Sequence, residues 1–384
     1  MQKKIHIIIY NFEPIFKDGR VNRTKYLVDF FLKKGYEVHV YTLGNKDKVL
    51  NVKENYVIHQ VKSKILSKII NSKDNKKTKE NKKWYFSFLR MAEFLIPFDR
   101  YFTSFLSMRK VVSDNINSDD KVLISVPYFS TLLNILWLTK NKNLVVDFRD
   151  LLVGNRIFSK NLVSDYLYNL IQNYLLKNVN FVLVTTDSAL GRFKKIKKRY
   201  VLKNGISESE LKTLQEIKKT NDLKNKYDLI YFGNLGNKRD ALPFFKILNE
   251  LGVTYRVYGN VDDRHMNVIG GNFGGFLNTI EMYENILSAK VVFVIILPDE
   301  HSQYAIPGKI YQAMATGKKI ILYTDKKSAS LKLLENLEYP FLFINCSDPI
   351  NSIEISRCIK SKYNDSPKII LREKEFENNL YKKW

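Results

Sequence analysis

Cysteine, histidine and acidic side chains are scarce in this chain of 384 residues, and each shortage removes a class of chemistry. Only Cys346 and Cys358 are present, without metal-ligand spacing or a disulfide framework, which fits a reducing cytoplasm. With five histidines there is no Cys/His cluster and no H-E-x-x-H, so zinc chemistry has little support. G-x-S-x-G and G-x-x-x-x-G-K-[ST] are missing, which counts against serine hydrolases and P-loop enzymes. No G-x-G-x-x-G follows the first apolar run, which counts against an NAD enzyme. No stretch reaches ~18 apolar residues without charge, so no transmembrane helix is expected. The opening Met-Gln-Lys-Lys and Ile5–Tyr10 read as the start of a strand, too short for a signal peptide. Acids number 39 against 63 lysines and arginines, a net charge of +24. That surplus calls for a polyanionic partner: nucleic acid, a membrane surface or phosphorylated substrates.

What the chain does have is alternation. Strand-like runs at Ile5–Tyr10, Val38–Thr42, Val122–Val126, Leu144–Asp147 and Phe181–Thr185 alternate with helical patterns. In one of these, Leu27, Val28, Phe31 and Leu32 share a face and Gly35 ends the helix. Another spans Tyr166–Leu176. A second series runs through Leu229–Phe232, Tyr255–Tyr258, Val291–Leu297, Ile320–Tyr323 and Phe341–Ile344. Repeated β-α-β order predicts parallel sheets with right-handed crossovers, and the length exceeds one core. The expectation is an α/β protein of two Rossmann-like doubly wound domains, residues 1–203 and 204–368, facing a central cleft. Residues 369–384 read as a charged helix with Phe376, Leu380 and Trp384 on one side, packing on a domain surface and able to return to the first domain.

One region interrupts the alternation. Residues 62–108 join a lysine-dense stretch to the aromatic-rich Trp84–Met108. Basic and aromatic segments in series suit an anionic bilayer interface. The same residues also suit a buried helix pair with solvated lysines.

Four segments can carry chemistry. His301–Tyr323 reads as loop, helix and strand, with Pro307 in the first helical position, Gly317 closing the helix and Lys309 in the first turn. Such a helix N-terminus suits a phosphate, although most strand–helix–strand units bind nothing there. Phe232–Arg239 is a second βα loop, with Gly233 and Gly236 for close backbone approach and Lys238 and Arg239 before a helix starting near Asp240. Asp147-Phe-Arg-Asp150 ends a strand; it reads either as a site for acceptor hydroxyls or as a local ion pair with a helix cap. Phe12–Arg20 follows the first strand and places Gly19 and Arg20 before a helix, as an acceptor loop or an ordinary connection. His301, alone near these loops, reads as structural.

In order and motif the chain resembles the GT-B glycosyltransferases, most closely family 4 of retaining sugar-nucleotide enzymes. The resemblance rests on Ile5–Arg20 as the glycine-bearing acceptor loop, Asp147–Asp150 as an acidic strand end and Asn204-Gly205-Ile206 at the entry to the second domain. It continues in Gly233–Arg239 as the donor-diphosphate loop and Gln312–Ile321 as the E-A-(M/L)-A-x-G segment. Departures are clear. Tyr304 and Gln312 stand where the family has two glutamates, Asn234 where many members have arginine, and Ser125–Tyr128 lacks a common histidine. These changes match branches with an I-P-x-K-x-Y segment, here Ile306–Tyr311, often enzymes of bacterial surface-polysaccharide assembly.

The resemblance implies a donor site of Gly233, Asn234, Gly236, Lys238, Tyr304, Pro307, Gly308 and Gln312, with Asp147, Asp150, Arg239 and Lys309 as catalytic candidates. The co-substrate would be a UDP-, GDP- or dTDP-sugar, with no other cofactor and no metal. The acceptor would be a lipid-linked saccharide at the inner face of a bacterial plasma membrane, without nucleic acid. Transfer would retain configuration, the leaving phosphate taking the acceptor proton. An inverting transferase or an epimerase would instead need a base, for which Asp147, Asp150 and Glu13 are the candidates. A basic nucleic-acid-binding protein accounts for the charge alone, but no such motif appears.

Overall fold

The computed structural model describes residues 3–12, 22–63, 99, 101–126, 128–153, 162–220, 225–236, 240–296, 300–363 and 367–384. Glu13, Gly19, Arg20, Lys238, Arg239, the side chain of His301 and most of the basic and aromatic insertion lie outside these residues. The chain divides into two compact units, Met1–Leu202 with Phe376–Trp384, and Lys203–Glu375.

In the first unit the strands are β1 (Lys4–Ile8), β2 (Glu37–Gly44), β3 (Lys48–Lys53), β4 (Tyr56–Lys62), β5 (Lys121–Val126), β6 (Leu144–Phe148), β7 (Phe181–Val184) and β8 (Arg199–Val201). They line up as β3-β4-β2-β1-β5-β6-β7-β8, all parallel except the β3–β4 pair. β1, β5, β6 and β7 are buried along nearly their whole length, with mostly apolar side chains, because both faces are covered. β3, β4 and β8 depart from the expected series. β3 is an edge strand with Val49 and Val52 exposed, and β8 has only three residues, so neither carries a buried apolar run.

One face of this sheet packs Ile5, Ile7 and Ile9 against Leu27 and Phe31 of helix Asn22–Lys33, with Phe376 and Leu380 in the same core. Residues 372–384 are not a continuous α-helix. Arg372–Glu375 is α, Phe376–Leu380 is π and Tyr381–Lys383 is 3-10. The turn widens where Phe376 and Leu380 both reach 0% exposure, with Phe376 edge-on to Phe30 at 5.7 Å. The other face brings three histidines together. His6 pairs with His39 across β1–β2, and Tyr41 with His59 across β2–β4. The rings stack at 5.1 Å (His6–His39) and 5.3 Å (His39–His59).

In the second unit β9 (Tyr227–Phe232), β10 (Tyr255–Tyr258), β11 (Ala289–Ile295), β12 (Lys319–Thr324) and β13 (Phe341–Asn345) form a parallel sheet ordered β10-β9-β11-β12-β13. Apolar clusters cover both faces, Val292 and Met314 in one and Phe244 and Phe293 in the other. From β9 the chain steps one way to β10, then crosses to β11 on the opposite side. That reversal opens a crevice at the carboxyl ends of β9 and β11, where ligands of such sheets bind. Among the described residues no helix is long and apolar enough to cross a membrane.

Candidate functional site

At the carboxyl end of β9 the backbone turns sharply at Gly233, φ +139°, a conformation only glycine adopts without strain. Gly233 N–H donates to Tyr258 O at 2.8 Å, and Leu235 N–H to Asn260 O at 2.8 Å. Gly259, φ +119°, lies so close beneath that a Cβ on it would overlap Gly233 O. The 233–236 loop is thus tied to the 259–262 loop and held rigid. Asp262 N–H continues the tie to Leu235 O at 3.3 Å.

Asp262 fixes the next helix as well. Its Oδ1 accepts the His265 backbone N–H at 3.0 Å and lies 2.6 Å from His265 Nδ1. These bonds, the side-chain one foremost, hold the Asp262 carboxyl below its usual range. The other imidazole nitrogen accepts Ala241 N–H at 3.2 Å, at the start of helix Leu242–Glu250. His265, at 0% exposure, therefore acts as a strut between Asp262 and the start of helix Leu242–Glu250.

Helix Gly308–Thr316 follows β11. Pro307, at φ −62° and ψ 146°, caps this helix instead of occupying its first position, because its extended ψ stands outside helical geometry. Gly317 ends it at φ 86°. No side chain caps the N-terminus, Gly308 is exposed and Lys309 half-buried. Lys309 folds back over β9. Its Nζ lies 4.7 Å from the Tyr231 ring centre and 5.6 Å from that of Phe232. A Cβ on Gly233 would overlap that ammonium. Tyr231 steadies the loop by donating to Asn234 O at 2.9 Å. The structure thus brings Lys309 to Gly233 and Asn234, which lie far from it in sequence. Gly236 sits above Asp262 in the same loop, and Tyr304 is half-buried before the helix.

Gln312 has a partner that sequence reasoning missed. Its Nε2 lies 3.4 Å from Glu210 Oε1, and the Tyr283 hydroxyl lies 3.4 Å from the same oxygen. Glu210 also accepts Ser207 N–H at 2.8 Å, closing a capping box on helix Glu208–Thr220. The S-x-x-E pattern announces the cap, but nothing in it announces the contact with Gln312.

In the first unit Asp147 and Asp150 differ. Asp150 is half-buried. Asp147 is at 0% exposure, with Arg23 Nη2 2.7 Å from Oδ1 and Nε 2.9 Å from Oδ2. Arg23 also donates to Leu202 O at 3.1 Å. Asp147 is thus ion-paired, but with the distant Arg23 and not within its own segment, and at 0% exposure its carboxylate has no open face. Around the β1–β5 switch, Asp99 accepts Ser130 N–H and Oγ–H, each at 2.7 Å, and Asn11 donates to Tyr128 OH at 2.7 Å.

No protein-family model matches this sequence, and no curated protein does. Solved structures do. Sucrose-phosphate synthase from Thermosynechococcus elongatus superposes with a TM-score of 0.62 at 13% identity, covering 94% of this chain and 89% of that one. The E. coli trehalose-6-phosphate protein bound with UDP-2-fluoro glucose gives 0.62 at 13% identity over 100% and 96% of the two chains. The UDP-forming trehalose-phosphate synthase of Burkholderia xenovorans, in complex with glucose-6-phosphate, gives 0.63 at 10% identity over 99% and 96%. Likeness of this kind at such low identity is a statement of architecture: the chain has the GT-B fold.

Proposed function

We propose that this protein is a glycosyltransferase that moves a sugar from a nucleotide-diphosphate donor to a hydroxyl of a saccharide acceptor. The observation that carries the reading is Lys309 Nζ lying over Tyr231 and Phe232, against Gly233, at the crevice between β9 and β11. An ammonium, an uncapped helix start and a rigid glycine loop together favour a diphosphate. Negative charge grows on that group as the glycosidic bond breaks, so fixed donors aimed at it lower the barrier. In the proposal Gly308, Lys309, Gly236, Lys238 and Arg239 hold the diphosphate, and Asn234, Tyr304, Pro307 and Gln312 line the nucleoside and sugar. No metal enters. The neighbour bound with UDP-2-fluoro glucose supports the donor class, and the one with glucose-6-phosphate supports a sugar-phosphate acceptor.

The finer reading follows the family 4 resemblance. It implies retaining transfer, a lipid-linked saccharide of surface-polysaccharide assembly as acceptor in place of a free sugar phosphate, and peripheral work at the inner membrane face. Asp150, Gly19 and Arg20 meet the acceptor.

A thermal-shift screen of UDP-, GDP- and dTDP-sugars tests the donor site, since a ligand bound only to the folded state raises Tm. One nucleotide class should raise Tm; if none does, the donor assignment is wrong. Lys309→Ala should weaken that nucleotide roughly tenfold to a hundredfold, the scale of one charge-assisted contact of about 1.5–3 kcal/mol. Gly233→Ala should weaken it at least as much, because the new methyl displaces the ammonium; unchanged affinity in both variants would remove the site. NMR of the product's anomeric centre separates retention from inversion.

A further inference from the structure

Helix Leu162–Leu175 has two faces of different character. Tyr168, Gln172 and Leu175 point inward at 2%, 4% and 3% exposure, with Tyr168 edge-on to Phe129 at 4.6 Å. Val163, Tyr166, Leu170 and Tyr174 are exposed at 64%, 65%, 50% and 64%. Steps of three, four and four residues align them as one stripe along the helix. Four large apolar and aromatic side chains in register, left in water, mark a surface that meets something else.

The neighbouring turn supplies the charge. Arg192-Phe-Lys-Lys-Ile-Lys-Lys-Arg199 carries six cations and no acid. Phe193 and Ile196 are buried at 1% and 8% and anchor it, which leaves Lys194, Lys195, Lys197 and Lys198 exposed. Helix and turn share a cavity of about 280 Å³, lined by Asn169, Gln172 and Asn173 on one side and Arg192, Lys194 and Lys195 on the other. The apolar stripe and the cationic turn therefore belong to one continuous surface.

We propose that this surface docks on an anionic lipid bilayer. Its tyrosines and aliphatic side chains sit at headgroup depth, and the lysines of the turn face lipid phosphates. Tyrosine rings favour that depth, and each nearby cation adds attraction to an anionic surface. A second copy of the chain would bring two cationic turns together, and a nucleic acid would leave the stripe uncovered. The inference deepens the membrane part of the proposed function without resting on sugar transfer, and it places membrane contact outside residues 62–108.

The test is co-sedimentation of the full chain with vesicles of phosphatidylcholine, with and without phosphatidylglycerol, at low and high salt. The chain should bind the phosphatidylglycerol vesicles, more weakly as salt rises. Lys194→Glu/Lys195→Glu/Lys197→Glu/Lys198→Glu should reduce that binding about a hundredfold. Tyr166→Ser/Leu170→Ser/Tyr174→Ser should reduce it about tenfold. All seven positions are exposed, so circular dichroism and Tm should stay at parent values, and if one variant is destabilised the other still decides. Parent-like binding in both variants overturns the proposal and moves the contact to 62–108. Equal binding to neutral vesicles, or release of the parent by RNA, overturns it too. So does a stripe variant whose only change is loss of self-association in vesicle-free solution.

Discussion

Arg23→Met should destabilise the first unit by about 3–5 kcal/mol, because it leaves a buried carboxylate without the guanidinium that bonds both its oxygens. The Asp147 carboxylate is at 0% side-chain exposure and both its oxygens are taken by one guanidinium. Removing that guanidinium also strips a donor from Leu202 O. Asp147→Leu alone should be costly for the converse reason, a stranded arginine. The Arg23→Met/Asp147→Leu double variant should recover most of the loss, since neither charge then remains in the core. Urea denaturation of the three variants measures this as a double-mutant cycle. If Arg23→Met unfolds at the parent's midpoint, the pair is not what holds this edge of the sheet. The same cycle decides what Asp147 does. An aspartate acting as a base would lose all turnover in the double variant, whereas one that only positions the strand end would retain turnover in proportion to folded protein.

Acid should weaken the first unit through its histidine stack. Burial, then the charge of His39, lowers His6 to about 4, and the same two causes lower His59 to about 4. His6 Nδ1 lies 2.9 Å from Tyr41 OH and His6 Nε2 3.3 Å from Asp120 Oδ2. His39 bridges to His59 Nε2 at 3.0 Å and to Glu37 Oε1 at 2.8 Å. Lys4, 3.4 Å from Glu37, adds a further positive charge at this end of the sheet. Between pH ~6.5 and ~4 the unfolded chain binds protons on these imidazoles and the folded chain does not. Stability is therefore complete above pH ~6.5 and is lost as pH falls towards ~4. From His6 the loss is about 3 kcal/mol; His59, more exposed, adds less. Urea midpoints taken across that window should fall steadily, and His6→Phe should flatten the slope. A parent midpoint independent of pH over this range would contradict the account.

Local pattern and distant pairing account for what could and could not be read in advance. Runs such as Val122–Val126 and Val291–Ile295 were legible because strands buried on both faces are predominantly apolar. The βα loop at Gly233 was legible because glycine marks a backbone turn. β3 was not, because an edge strand with exposed valines carries no burial signal. Nor was the partner of Asp147: Arg23 is 124 residues away in sequence, and only the packing of helix Asn22–Lys33 on the sheet brings the two together. The histidine stack hides for the same reason, since residues 6, 39 and 59 meet only through the β1–β2–β4 register. Glu210 reads locally as a cap, and its contact with Gln312 depends on packing between two helices separated by 102 positions. The C-terminal spacing of Phe376, Leu380 and Trp384 implied one face of an α-helix, whereas Phe376 and Leu380 enter the core from a π turn.

That last segment bears on how the molecule is made. The first unit comprises Met1–Leu202 and Phe376–Trp384, so the whole second unit is synthesised before Phe376 and Leu380 can enter the first core. At translation rates of about 5–20 residues per second, the amino-terminal half waits on the ribosome for roughly ten to forty seconds with a notch in its hydrophobic interior. During that time Phe30 and Phe31 lack the aromatic neighbours that later cover them. A nascent chain halted before Phe376 thus leaves part of the first core open to chaperones and proteases, and that core is completed only once Phe376–Trp384 has followed the second unit.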